Sequence, residues 1–123
     1  MTTPNAQRSV LLVEDDFLQA QSTASILDDA GARVVGPFGS FGDAEEVLTR
    51  RPVDCAVLDL DLGDGLDTAP ARKLHNEGVP VVLITGYGPD ILPAELQMLV
   101  LVEKPYTPSL LLDAVSRALQ PFQ

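Results

Sequence analysis

Apolar positions along the chain alternate between short, nearly unbroken runs and stretches in which they recur every three or four residues. Five runs read as strands: Val10 to Val13, Arg33 to Gly36, Cys55 to Leu58, Val79 to Ile84 and Leu99 to Val102. Most are too uniformly apolar for a sheet with one wet face, which predicts strands buried on both sides and paired in parallel. Between the runs the period becomes helical. Phe17, Ala20, Ala24 and Leu27 make one face of a first helix, which Gly31 stops. A second helix is predicted from Phe41 to Arg50, bounded by Pro52, and a third from Thr68 to Glu77, bounded by Gly78 and Pro80. The last begins after Pro108 with Ser109 near its cap, buries Leu111, Ala114, Val115 and Ala118, and closes at Pro121. Gly86, Gly88, Pro89 and Pro93 leave only Ala94 to Met98 for a fourth helix, predicted to be a turn or two long and mobile.

Five strand-helix units in 123 residues predict an α/β fold: a doubly wound, five-stranded parallel sheet with helices on both faces, not a closed eightfold barrel. Residues 9 to 123 read as a single domain, preceded by a short, poorly ordered tail from Met1 to Arg8. With 46% hydrophobic residues, such a chain builds its core without a metal or a disulfide.

The net charge of −10 repels phosphate backbones and anionic headgroups, so no nucleic acid and no membrane surface is expected as a partner. A cation or a basic partner fits better. Cys55 is the single cysteine, and the opening residues MTTPNAQRS hold no apolar stretch of signal-peptide length. No run approaches the roughly eighteen apolar residues of a membrane span. A cytoplasmic setting is therefore expected.

In an open parallel sheet, ligands bind beyond the carboxyl ends of the strands. Here the first strand leads into Glu14, Asp15 and Asp16, the third into Asp59 and Asp61, the fourth into Thr85, and the fifth into Glu103 and Lys104. Crowded carboxylates raise one another's pKa unless a cation joins them, and hard oxygen ligands favour Mg²⁺, which readily completes its shell with a phosphate oxygen. The remaining groups suit a phosphoryl group: Lys104 to neutralise an oxygen, Thr85 to donate a hydrogen bond, and a carboxylate to act as nucleophile.

In combination and order, VLLVEDD, AVLDLDLGDG, LITGYG and VEKP resemble the receiver domain of two-component response regulators, over essentially Ser9 to Leu119. The resemblance implies the flavodoxin-like strand order 2-1-3-4-5. It implies Asp59 as phospho-acceptor, Glu14 and Asp15 as the acidic pair at the metal, with Asp16 outside it, and the backbone carbonyl of Asp61 as a further ligand. Thr85 and Lys104 match the phosphate-contacting pair, and Mg²⁺ is the implied cofactor. The implied partners are a histidine kinase or a histidine phosphotransfer protein and a downstream protein the sequence does not name. A homodimer would use the face of the fourth helix, fifth strand and fifth helix, near Leu110 and Leu112.

The stretch between Thr85 and Lys104 is short by family standards, and two positions also depart from the family pattern. The aromatic switch residue three positions before the lysine is replaced by Leu101, and the turn after Asp59 has Gly63 where a proline is usual. The loop LITGYG is similar to that of single-domain, alphaproteobacterial-type regulators with a Thr-Gly-aromatic loop, which makes Tyr87 the switch candidate. The side chains of Asp61 and Asp64 read as turn and solvent residues, His75 as solvated or packed, and Cys55 as inert core. No output region follows Gln123, so the expected output is contact with another protein. Asp59-Leu60-Asp61 also looks like the nucleophile motif of haloacid-dehalogenase-like phosphatases, although that motif follows the first strand of its fold. A third reading is a receiver-like interaction module that acts without phosphorylation.

Overall fold

The computed structural model describes residues 8–61, 67–88, 90 and 92–120. Five parallel strands, β1 (Ser9–Val13), β2 (Arg33–Phe38), β3 (Cys55–Asp59), β4 (Val81–Thr85) and β5 (Val100–Glu103), form one sheet in the order β2-β1-β3-β4-β5. The helices are α1 (Phe17–Asp29), α2 (Phe41–Leu48), α3 (Ala69–Asn76) and α4 (Pro108–Leu119). The expected parallel sheet and its order are both present. The expected tail falls mostly on residues 1–7, which, like Gly63, Asp64 and Pro121, lie outside the described residues. Arg8 is tied in, since its carbonyl accepts the N–H of Arg33 at 2.8 Å.

Side-chain alternation along the central strands splits the core in two. Leu11, Val13, Ala56, Leu58 and Leu83 face α2 and α3, while Val10, Leu12, Cys55, Val57, Val82 and Ile84 face α1 and α4. Burial of both sheet faces is the physical reason the runs read as continuous rather than alternating. Cys55 lies in the second cluster, and burial pushes its thiol up to about 12, which makes it unreactive.

Element ends differ from the sequence expectation where a local interaction wins over periodicity. Phe17 was expected on the buried face of α1, but it is 71% exposed, and the buried positions are Ala20, Thr23 and Leu27. The first turn of the helix overhangs the carboxyl rim of the sheet, so the apolar phase continues where no core lies beneath it. The cap of α4 is Thr107, not Ser109: its hydroxyl accepts the N–H of Leu110, and Pro108 occupies the first turn, where it has no N–H to leave unpaired. The fourth helix is reduced to a 3₁₀ turn, Ala94–Leu96. It is anchored by buried Leu92 and Leu96 and by the Arg72–Glu95 ion pair at 2.9 Å.

β2 runs two residues beyond its predicted end, through an irregularity in its register with β1. Gly36 has φ +113°, and a Cβ there would lie 2.8 Å from the carbonyl oxygen of Leu12, so only glycine fits. The deviation brings the Phe38 carbonyl to the N–H of Glu14 at 2.9 Å. A backbone feature of the edge strand thereby holds the first acidic residue of the rim.

Candidate functional site

Register determines which rim residues meet. Val13 pairs with Leu58, so Glu14 follows β1 beside Asp59 at the end of β3. Thr85 pairs with Glu103, and the N–H of Lys104 donates to the Thr85 carbonyl at 2.8 Å. The Lys104–Pro105 peptide bond is cis. From β5 the lysine side chain reaches over β4 to Asp59.

Asp59 is 2% exposed and both of its oxygens are engaged. Oδ1 accepts the N–H of Asp61 at 2.7 Å, and Oδ2 lies 2.7 Å from Lys104 Nζ. Glu14 is 7% exposed; its Oε1 is 3.8 Å from Lys104 Nζ, and its Oε2 is buried without a hydrogen-bond partner. Asp15 is exposed at the mouth, and one carboxylate oxygen each from Glu14, Asp15 and Asp59 lies within 4.8 Å of the others. Asp16 is taken by another task, capping α1 by accepting the N–H of Gln19 at 2.9 Å.

The electrostatics follow from this crowding. Burial, then the hydrogen bond and charge of Asp59, push the Glu14 carboxyl up to about 8. Burial also pushes Asp59 upward, but hydrogen bonds from Glu14, Lys104 and the Asp61 N–H outweigh it and hold the carboxyl below its ordinary value. For Lys104 burial acts downward and is outweighed by the Asp59 hydrogen bond and charge, so its ammonium titrates above the usual lysine range. One lysine thus serves two buried carboxylates. The second keeps an orphaned oxygen, an arrangement suited to a hard cation that takes oxygen ligands and supplies the missing charge.

Thr85 is fully buried, with its hydroxyl accepting the Tyr87 N–H at 3.0 Å. By sequence the Asp61 side chain reads as a turn and solvent residue. Instead it turns inward, accepting from Thr85 Oγ1 at 3.3 Å and from the Gly86 N–H at 2.8 Å. The parity of Asp59 and Asp61, two residues apart on an extended segment, was the available signal. Tyr87 stands at the rim and is 56% exposed, and Leu101 packs partly buried against the α2–α3 side of the core. A contact that periodicity did not reveal joins Thr23 of α1 to the Tyr106 hydroxyl after β5 by a hydrogen bond.

Over residues 10–116 the sequence matches the family described as the response regulator receiver domain. It is 34% identical over 128 residues to the C4-dicarboxylate transport transcriptional regulatory protein DctD of Pseudomonas aeruginosa, an alignment covering 94% of this chain and 26% of that protein. The response regulator PhyR from Brucella abortus superposes with a TM-score of 0.79 at 24% identity, over 94% of this chain and 49% of that one. A CheY-like receiver domain protein from Methanospirillum hungatei JF-1 does so with a TM-score of 0.77 at 24% identity, over 93% and 94% of the two chains. At such identities the structural likeness is one of fold. The chain spans about a quarter of DctD and half of the Brucella PhyR chain. Among the described residues no helix is long and apolar enough to cross a membrane.

Proposed function

The chain belongs to the response regulator receiver family, and we propose that it accepts a phosphoryl group on Asp59 from a phosphohistidine donor, with Mg²⁺, and thereby changes a protein-binding surface. The observation that carries this reading is the Asp59–Lys104 contact of 2.7 Å beside the orphaned Glu14 oxygen. It supports a nucleophilic carboxylate kept ionised next to a group that can neutralise incoming phosphoryl oxygens. In the step, an Asp59 oxygen attacks phosphorus, the bond to the donor imidazole breaks, and its electron pair leaves with the ring nitrogen. Mg²⁺ supplies charge neutralisation when bound, and Glu14, Asp15, Asp59 and the Asp61 carbonyl are the residues proposed to hold it.

Thr85 and Lys104 orient the transferred group, and Tyr87, adjoining Thr85, is the proposed lever in place of the aromatic absent at Leu101. A histidine kinase or a phosphotransfer protein supplies the phosphoryl group, in a reducing cytoplasmic setting consistent with the single buried Cys55. Family membership favours this reading over a dehalogenase-like phosphatase, and the intact Asp59, Thr85 and Lys104 favour it over a module that acts unmodified. Incubation with acetyl phosphate and Mg²⁺, followed by intact-mass measurement, tests it. One phosphoryl increment is expected, absent in Asp59→Asn; equal modification of that variant would overturn the acceptor assignment.

A further inference from the structure

Past the end of β3 the Asp61 carboxylate lies against the loop that follows β4. One oxygen accepts the Thr85 hydroxyl at 3.3 Å and the other accepts the Gly86 N–H at 2.8 Å. The Thr85 oxygen also accepts the Tyr87 N–H at 3.0 Å, which leaves its single proton directed to Asp61. Two adjacent donors are therefore committed to one anion. The backbone carrying that anion is itself fixed by the Asp61 N–H, which donates to Asp59 at 2.7 Å.

We propose that Asp61 is a tethered anion that caps the Thr85 and Gly86 donors in the unmodified protein and must leave them before a phosphoryl group on Asp59 can use them. The inference rests on the acceptor reading above and adds a gating residue to it. A phosphoryl group brings a charge of about −1.5 to −2 and oxygens that seek the same donors. Two anions cannot share a pair of donors in a half-buried pocket: they compete for the hydrogens and repel each other. Lys104, 2.7 Å from Asp59 and already feeling the Asp61 charge, does not replace the hydrogen bonds that both anions seek from Thr85 and Gly86. The unmodified loop is thus held in an anion-bound arrangement, and modification exchanges one anion for another. What changes is the position of the Asp61 side chain, which is expelled toward solvent, and the hydrogen-bond load on Thr85, Gly86 and Tyr87. Asp61 acts as a positioning residue here, through donors that the phosphoryl group would otherwise find free.

The test uses the full chain, wild type against Asp61→Ala and Asp61→Asn, with two readouts. The first is the Gly86 amide by ¹⁵N NMR without metal or phosphoryl donor: its proton is expected downfield and protected in wild type, and in Asp61→Ala upfield with exchange faster by about tenfold, the loss of one charge-assisted hydrogen bond. The second is the rate of modification by acetyl phosphate with Mg²⁺, in which Asp59 attacks phosphorus and acetate leaves with the bonding pair. Asp61→Ala is expected to react about tenfold faster than wild type, with Asp61→Asn between them, since the amide keeps an acceptor but lacks the charge. An unchanged Gly86 amide would overturn the cap. Equal or slower modification of Asp61→Ala would overturn the gate while leaving the acceptor reading intact, whereas failure of wild type and both variants to be modified would overturn the acceptor reading itself.

Discussion

Lys104, at the end of β5, places its ammonium 2.7 Å from Asp59 Oδ2 at the end of β3, spanning the intervening strand β4. The carboxylate side chain is almost wholly buried and that of the lysine about a quarter exposed, so the pair works in a poorly screened setting.

Removing the lysine leaves Asp59 and Glu14 facing each other without a cation. Lys104→Ala is expected to lower stability by about 2–4 kcal/mol in the metal-free protein, because an uncompensated buried charge costs more than a lost surface contact. In an Asp59→Asn background the same change should cost less than half as much. Urea denaturation of the four proteins in this double-mutant cycle checks both values.

Glu14 sets the pH dependence of the metal-free protein. Its carboxyl titrates near 8 when folded against an ordinary 4.5, so the native state holds more protons than the unfolded chain between those values. Stability must therefore fall as pH rises from about 5 to 8. Asp59, depressed below its ordinary 3.8, loses its contribution only at more acidic pH, and Lys104, raised above 10.5, keeps its own throughout the window. Thermal melts should show the decline in wild type and a flatter profile in Glu14→Gln. At one fixed Mg²⁺ concentration the metal should stabilise more at pH 8 than at pH 5.5, because protonated Glu14 weakens binding, and less in Asp15→Asn; where that concentration is a hundred times the dissociation constant, the stabilisation is about 3 kcal/mol.

Gly36 links an edge strand to the rim. Gly36→Ala puts a methyl group 2.8 Å from the Leu12 carbonyl oxygen at a φ of +113°. A cost of about 2 kcal/mol or more is expected. Because the neighbouring Phe38 carbonyl holds the Glu14 N–H, the variant should also weaken Mg²⁺ binding, read by metal titration of the folded fraction. A surface-only glycine substitution such as Gly39→Ala, where a Cβ meets nothing within 4 Å, should leave metal binding unchanged.

Tyr87 tests the switch. Its ring is mostly exposed, so Tyr87→Ala should change stability by no more than about 0.5 kcal/mol and leave Asp59 modification intact. Hydrogen exchange of the amides from Gly86 to Met98, with and without a phosphoryl mimic, should respond more weakly in the variant. An identical response in both proteins would move the lever away from Tyr87.

The strand runs, the places of α2 and α3, the buried face of α4 and the carboxyl rim were legible in sequence because periodicity and the residue that ends each run are local properties. A parallel sheet puts all those ends on one side, so Glu14, Asp59, Thr85 and Lys104 could be gathered before any distance was known. Register, an inter-strand property, decided that Glu14 adjoins Asp59 and that Lys104 crosses β4 to reach it. Tertiary structure also decided the direction of Asp61, since a short polar side chain after a strand turns inward only when donors such as Thr85 and Gly86 wait there. Phe17 shows the converse: its helical phase matched the buried face, but the helix outruns the sheet at that turn, and burial needs a neighbour that no local pattern contains.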